Sequence, residues 1–64
     1  MRRVLKQVNE EFVECEMKEI KKGDLFKMFE PNGDNVVNKY GEDVFTATSN
    51  AYRYKGKIYQ VDVE

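Results

Sequence analysis

Residues that favour chain reversals recur at short intervals along most of this chain and divide it into short segments. The four glycines stand at positions 23, 33, 41 and 56, and Pro31 lies just before the second of them. The apolar runs between these positions are short, as expected for strands separated by turns. This spacing predicts an all-β chain that folds as a sandwich or a small closed barrel.

About five short strands are expected from the hydrophobic pattern. Alternating apolar and polar residues, the period of a strand with one buried face, occur in residues 12–16, 43–49 and 57–63. An apolar run broken only by Lys27 occupies residues 24–30, as in a strand with both faces partly covered. The last strand is expected to pair with residues 52–54 across a turn at Lys55-Gly56, forming a β-hairpin.

The strongest local signal is the Pro-Asn-Gly-Asp sequence at residues 31–34. Proline presets φ for one turn position, and Asn-Gly supplies the positive φ that a tight reversal needs. Val36-Val37, directly after this turn, is expected to form a short return strand. Further turns are expected at Lys-Gly-Asp 22–24 and at Tyr-Gly-Glu 40–42.

The beginning of the chain fits two patterns that exclude one another. Val4, Val8 and Phe12 recur at every fourth position, as on one face of a helix. The alternation in residues 12–16 favours a strand there instead, because β-branched and aromatic residues cluster in that segment. Residues 2–9 are compatible with either a strand or a helix.

The alternation also predicts which side chains face the core. Inward positions are expected for Val13, Cys15, Phe45, Ala47, Tyr59, Val61 and Val63. Either Phe26 or Leu25, and either Met28 or Phe29, is expected to join them. A chain of 64 residues is too short for two such cores, so residues 1–64 are expected to form one small domain.

Missing residue types argue against several classes of function. The chain has no histidine and a single cysteine, Cys15. It therefore lacks the commonest general base, an internal disulfide framework and the ligands of an intramolecular structural zinc site. Two glutamates flank Cys15, and they are expected to raise the thiol pKa and suppress the reactive thiolate. We expect a protein without enzymatic activity.

Neither a metal ion nor an organic cofactor is expected. Residues 32–42 are rich in side-chain oxygens, but they fail as a calcium loop whether the loop starts at Asn32 or at Asp34. In both registers valine falls where a ligand or the loop glycine is required. These residues are expected to serve turns. The glycines are scattered, so no phosphate-binding loop is expected.

Residues 52–59 combine three cations with three tyrosines and contain no acidic residue. The whole chain has a formal net charge of −1, so this segment is a local positive patch. The expected binding residues are Tyr52, Arg53, Tyr54, Lys55 and Lys57.

Three interpretations fit this patch. Tyr52, Tyr54 and Tyr59 face the core in the first, and the cations form a solvated rim. The second is a protein-binding surface, since arginine and tyrosine often dominate interface energy. In the third, the cations contact the phosphates of single-stranded nucleic acid and the rings stack on its bases.

Two other charged clusters accompany this patch. Arg2, Arg3 and Lys6 form a basic cluster that is suited to an acidic partner. Glu14 and Glu16 share the outward face of the strand predicted at 12–16. Such acids either form an anionic docking surface or protect a strand edge from unwanted pairing.

A targeting or membrane-spanning segment is not expected. Charged residues interrupt the basic start before the apolar part of a signal peptide can form. Nowhere does an apolar run approach the roughly 18 residues of a membrane span. With a lone thiol, a reducing cytoplasm is the expected location, and no membrane partner is expected.

Residues 19–26, Glu-Ile-Lys-Lys-Gly-Asp-Leu-Phe, resemble the apolar-x-x-Gly-Asp-apolar opening of many Src-homology-3 (SH3) barrels. Residues 17–64 also resemble a family of small, mostly uncharacterised phage and prophage proteins. The matching segments are residues 17–24, 26–33, 45–49 and 61–64. This resemblance implies a small SH3-like barrel of antiparallel strands, with residues 1–11 outside the pattern as an N-terminal extension.

The missing residue types predict a non-enzymatic binding or accessory protein. The resemblance implies that this protein is of phage or prophage origin and acts in the cytoplasm of a bacterial host. Its expected partner is a protein. Two other roles stay open: a barrel that binds single-stranded nucleic acid through residues 52–59, and a structural or assembly component of a phage particle. In the last case, assembly into oligomers offsets the marginal stability of so small a domain.

Overall fold

The chain forms six short strands and one 3₁₀ helix in a computed structural model, which describes residues 2–64. The strands are β1 (Arg3–Val8), β2 (Glu11–Cys15), β3 (Leu25–Phe29), β4 (Phe45–Thr46), β5 (Tyr52–Lys55) and β6 (Ile58–Gln60). The 3₁₀ helix, Met17–Glu19, lies between β2 and β3. The prediction of an all-β chain is confirmed.

The strands form two antiparallel sheets, with the order β2-β1-β3-β4 in the larger one and β5-β6 in the smaller. Ala47 pairs with Val63, and the Thr48 N–H donates to the Asp62 carbonyl at 2.8 Å, which ties the smaller sheet to the chain after β4. The strands of residues 2–64 do not form the expected closed barrel. β4 has only two residues, so its outer edge is too short for a further strand to pair with it and close the barrel. One edge of β2 and one edge of β5 stay unpaired within residues 2–64.

The beginning of the chain is a strand in the interior of the larger sheet. β1 lies between β2 and β3, so residues 3–8 are part of the fold and not the extension that the resemblance implied. Met1, the first residue of that expected extension, lies outside the described residues. The fourfold spacing that suggested a helix arises from two successive strands, in which Val4 and Phe12 lie on opposite sheet faces.

β1 and β2 are joined by a tight turn that the sequence pattern did not reveal. Val8 pairs with Glu11, so that only Asn9 and Glu10 form the connection. Asn9 has φ of 59°, a left-handed conformation that asparagine tolerates better than most residues. The turn lacks the Asn-Gly pair that marks such hairpins most clearly.

The core lies between the inner face of the larger sheet and the C-terminal half of the chain. Its buried side chains are Val4, Ile20, Phe26, Phe45 and Ala47. The predicted inward positions of Phe45 and Ala47 are confirmed, and the apolar run contributes Phe26 and Met28, not Leu25 and Phe29. The rings of Phe26 and Phe45 stack with their centroids 5.5 Å apart.

Two of the residues predicted to face the core are not buried. Val13 is 45% exposed and Val63 is 39% exposed. Val13 lies on the inner face of edge strand β2, two residues closer than Cys15 to the β1–β2 turn. At that end of the strand the core does not cover the sheet. Val63 lies where the chain has only a single bridge to Ala47. Tyr59 and Val61 are half-buried.

Ile20 is among the most deeply buried residues although no periodicity pointed to it. It directly follows the 3₁₀ helix, outside any strand. Its carbonyl accepts a hydrogen bond from the Ala51 N–H at 2.9 Å, which attaches the start of the β5–β6 hairpin to the core.

Three predicted strands are shorter than expected, and one of them, predicted at 57–63, is limited to β6. The return strand at Val36-Val37 is reduced to a bridge between Phe29 and Asn35, with one hydrogen bond from the Val36 N–H to the Met28 carbonyl at 3.0 Å. The strand expected at 43–49 is limited to β4, followed by the bridge at Ala47.

The turn at residues 31–34 is confirmed. Gly33 has φ of 95°, which a residue with a side chain rarely adopts. Its N–H donates to the Glu30 carbonyl at 2.8 Å, and the Asp34 N–H donates to the Asn32 side chain at 3.0 Å. The asparagine side chain therefore stabilises the reversal directly.

Candidate binding site

The predicted binding residues all lie on the hairpin formed by β5 and β6. A two-residue turn, Gly56-Lys57, connects the strands, one residue later than expected. Arg53 pairs with Tyr59 and Lys55 pairs with Ile58, which leaves Tyr54 without an opposite residue. Such a bulge increases the local twist and takes the extra residue out of the ladder.

The whole of β5 is exposed. Tyr54 is 62% exposed and Tyr52 is 42% exposed, so the interpretation that places these two rings in the core is wrong. Tyr52 pairs with Gln60, on the face of the hairpin opposite to half-buried Tyr59, and Tyr54 lies in the bulge outside the ladder. Of the three tyrosines in the patch, only Tyr59 is half-buried.

The cations of the hairpin differ from those near the N-terminus in their surroundings. Arg2 and Arg3 form salt bridges with Glu30 and Glu14. Arg53, Lys55 and Lys57 have no carboxylate within 4.0 Å among residues 2–64. Their charges are therefore available to an external group.

Tyr52 is held in place by a polar contact. Its hydroxyl donates to Asp62 Oδ1 at 2.9 Å. This hydrogen bond, followed by slight desolvation and the charge of Asp62, raises the pKa of the Tyr52 hydroxyl above its usual value. Tyr52 therefore stays protonated and anchors one end of the hairpin, whereas Tyr54 has its ring free for contact.

An open groove of about 1190 Å³ is lined by residues of the hairpin, β2 and the 3₁₀ helix. Its floor is mainly apolar and comes from both sides of the gap. The floor residues are Val4, Cys15, Met17, Ile58 and Tyr59.

Charged side chains surround this groove, and cations are in excess. The cations are Arg2, Arg3, Lys18, Arg53 and Lys57. The acids are Glu14, Glu16 and Glu19. Arg2 and Arg3 form a separate basic cluster in the sequence, and only the tertiary fold brings them to the same groove as the hairpin.

The acids of the groove are largely satisfied by other groups of the chain. Arg3 Nε lies 2.8 Å from Glu14 Oε2, and Lys18 Nζ lies 3.2 Å from Glu16 Oε2. The Glu19 carboxylate accepts the Glu16 N–H at 2.7 Å and caps the 3₁₀ helix. The glutamates predicted as an outward stripe thus line the groove in pairs with cations.

Cys15 contributes to the groove floor as a protonated thiol. Burial raises its pKa most, the charge of Glu19 raises it further, and Lys6 opposes both effects. The expected direction of the shift agrees with this, but its cause is burial and Glu19 rather than the flanking glutamates. A protonated thiol is a poor nucleophile and metal ligand.

The oxygen-rich stretch 32–42 uses its side chains to stabilise its own turns. Asn38 Oδ1 accepts the N–H groups of Tyr40 and Glu42, each at 2.9 Å, and Asn38 Nδ2 donates to the Val44 carbonyl at 3.1 Å. Within the described part of the chain, no three histidine, cysteine, aspartate or glutamate residues are grouped so as to hold a metal ion.

Comparison with known proteins adds no relative. No family model, no curated protein and no solved structure matches this chain. In residues 2–64, no helix is long and apolar enough to cross a membrane. The geometry of the hairpin and the groove is therefore the basis for assigning a function.

Proposed function

We propose that the protein is a non-enzymatic binding protein that contacts its partner, a second protein, through the β5–β6 hairpin. The observation that carries this proposal is the exposure of all of β5 together with three cations that have no acidic neighbour. Cations in a folded surface are usually solvated, but these stand beside the exposed ring of Tyr54. Large rings and guanidinium groups contribute most of the energy in many interfaces.

The hairpin presents these groups in a fixed arrangement. Its two strands are paired, the Tyr52 hydroxyl donates a hydrogen bond to Asp62, and the Ala51 N–H donates one to the Ile20 carbonyl. A preorganised surface loses less conformational entropy on binding than a flexible loop does. A partner therefore binds these side chains more tightly than it would bind the same side chains in a flexible loop.

The absence of catalysis is part of this proposal. The chain has no histidine, and burial raises the pKa of the Cys15 thiol, which lowers its reactivity. The described cavity is an open groove and does not exclude water as catalytic clefts do.

An SH3-like ancestry, an origin in a phage or prophage, and a role in the host cytoplasm are proposed on the sequence resemblance. One structural detail is consistent with it: the Gly23-Asp24 turn leads directly into β3. There the Gly23 N–H donates to the Ala47 carbonyl and the Ala47 N–H donates to the Asp24 carbonyl, each at 2.9 Å.

Affinity capture from a bacterial lysate tests the proposal, followed by titration of the captured partner. We expect Arg53→Ala, Lys55→Ala and Tyr54→Ala to weaken binding while the fold persists, because surface substitutions usually change stability by less than about 0.5 kcal/mol. Tyr40→Ala and Lys39→Ala are matched controls, since Tyr40 is 66% exposed and Lys39 lies over its ring on another part of the surface. Equal binding by all five variants would contradict the proposal.

Single-stranded nucleic acid is the second candidate partner, favoured by the exposed Tyr54 ring between Arg53 and Lys55. Base stacking on such a ring contributes about 1–3 kcal/mol per base. Titration with oligothymidine distinguishes the two partners. Nucleic-acid binding loses affinity steeply between about 50 and 200 mM salt, because phosphate contacts release counterions. A protein partner that depends on Tyr54 responds mainly through its dissociation rate.

A further inference from the structure

We infer that the groove between β2 and the β5–β6 hairpin binds an extended peptide segment of the partner, in which acidic residues alternate with apolar ones. The segment adds a strand to the free edge of β2. This inference rests on the proposed function and specifies what the partner presents to the hairpin.

The first support is the unpaired edge of β2. Within residues 2–64, β2 pairs only with β1. Hydrogen-bonded and non-hydrogen-bonded pairs alternate along an antiparallel ladder. The two-residue turn makes Val8–Glu11 a hydrogen-bonded pair, so Phe12 and Glu14 direct their N–H and C=O groups away from β1. An extended peptide satisfies such an edge by adding a strand.

The second support is the floor of the groove next to this edge. The inner face of β2 contributes Cys15, and the opposite side contributes Ile58, which is 57% exposed, and Tyr59. A strand added to β2 places every second side chain over this apolar floor. Apolar residues at those positions remove both the floor and themselves from water.

The third support is charge. Glu14 and Glu16 each have a cation within 4.0 Å, whereas Arg53 and Lys57 on the opposite side have no acidic neighbour among residues 2–64. Five cations and three acids line the groove, and the acids already have partners within the chain. A segment that carries carboxylates complements this excess of positive charge, and lysine or arginine would be repelled.

A blocked peptide of about six residues, the common length of a strand, in which valine and glutamate alternate, is the probe. Binding to the intact protein is followed by nuclear magnetic resonance. We expect the Glu14 amide to exchange with solvent about tenfold more slowly in the presence of peptide. The Val13 amide is the internal control, because it already lies in the β1–β2 ladder.

Variants test the charge complementarity. Arg53→Ala and Lys57→Ala should each weaken peptide binding about threefold, the effect of losing one exposed ion pair. Lys39→Ala should bind like the parent. A peptide in which valine alternates with lysine should not bind.

The outcomes separate this inference from the proposed function. Peptide binding that depends on Arg53 but leaves Glu14 exchange unchanged would overturn the strand addition and leave the hairpin surface intact. Failure of the acidic peptide to bind, or equal binding of the lysine peptide, would overturn the inference. Oligothymidine binding without protection of Glu14 would also overturn it. A captured partner indifferent to the hairpin variants would contradict the proposed function itself.

Discussion

Phe26 and Phe45 form the centre of a very small core. Each belongs to a different strand, β3 and β4, and the two residues are direct partners in the ladder. Their stacked rings account for a large part of the apolar surface that the chain removes from water, because only five side chains are buried among residues 2–64.

Replacing Phe45 by alanine should cost about 3–5 kcal/mol, the usual penalty for deleting a buried ring. A domain of this size has a total stability of roughly 3–10 kcal/mol, so the variant should be largely unfolded or close to it. Urea denaturation followed by circular dichroism measures the loss. Val13→Ala, at an exposed position, should stay within about 0.5 kcal/mol. A Phe45→Ala variant as stable as the parent would contradict the assigned core.

The second residue-scale prediction concerns Cys15. Because burial and Glu19 raise the pKa of its thiol, less thiolate is present near neutral pH than in the unfolded chain, and modification by a thiol reagent should be slower in the native state. The raised pKa favours the folded state below the thiol's unfolded pKa, and this contribution is lost as pH rises through the folded pKa. Reaction rates with and without urea, at increasing pH, measure both effects. A native thiol that reacts as fast as the unfolded one would refute this assignment.

At the scale of single elements, local turn chemistry was predictable and strand length was not. The turns at Gly23 and Gly33 and the turn of the C-terminal hairpin could be predicted, because their residue types are strongly preferred in turns. The β1–β2 hairpin escaped notice because Asn9-Glu10 carries a weaker signal, and apolar residues on opposite faces mimicked a helical spacing. The lengths of β4 and of the return strand depend on partners distant in sequence, which periodicity does not report.

Asn9 provides the prediction at this scale. Its φ of 59° costs a β-branched residue about 1–2 kcal/mol, so Asn9→Val should destabilise the protein by about that amount. Asn9→Gly should keep or raise the stability, because glycine adopts this conformation without strain. Chemical denaturation of both variants provides the measurement. Equal destabilisation by glycine and valine would show that the asparagine side chain, and not the backbone conformation, stabilises the turn.

At the scale of the whole molecule, the sequence predicted an all-β domain and a basic hairpin, but neither the exposure of its tyrosines nor the open groove beside it. Whether a barrel closes depends on long-range pairing, here the contact of residues 62–64 with residues 46–48. The groove could not be predicted for the same reason. Its walls come from Arg3 and Lys18 on one side and Arg53 and Lys57 on the other, which are far apart in the sequence.

Deletion of residues 63–64 tests how the two sheets are joined. It removes the bridge between Ala47 and Val63 and the hydrogen bond from the Glu64 N–H to the Thr46 carbonyl. We expect a loss of about 1–2 kcal/mol in the free energy of unfolding, from one or two hydrogen bonds. Glu64→Ala keeps the backbone and should change stability by less than about 0.5 kcal/mol. If the deletion has no effect, the hairpin is attached by its other contacts alone.

The bulge in β5 has a consequence for adaptation. Tyr54 has no opposite residue in the ladder, and its ring lies mostly in solvent. The residue at position 54 can therefore change without disturbing the pairing of Arg53 and Lys55. A single codon change here alters the exposed surface of the hairpin and leaves its backbone pairing intact. Substitution at this position is therefore free of the usual conflict between stability and a change of surface chemistry.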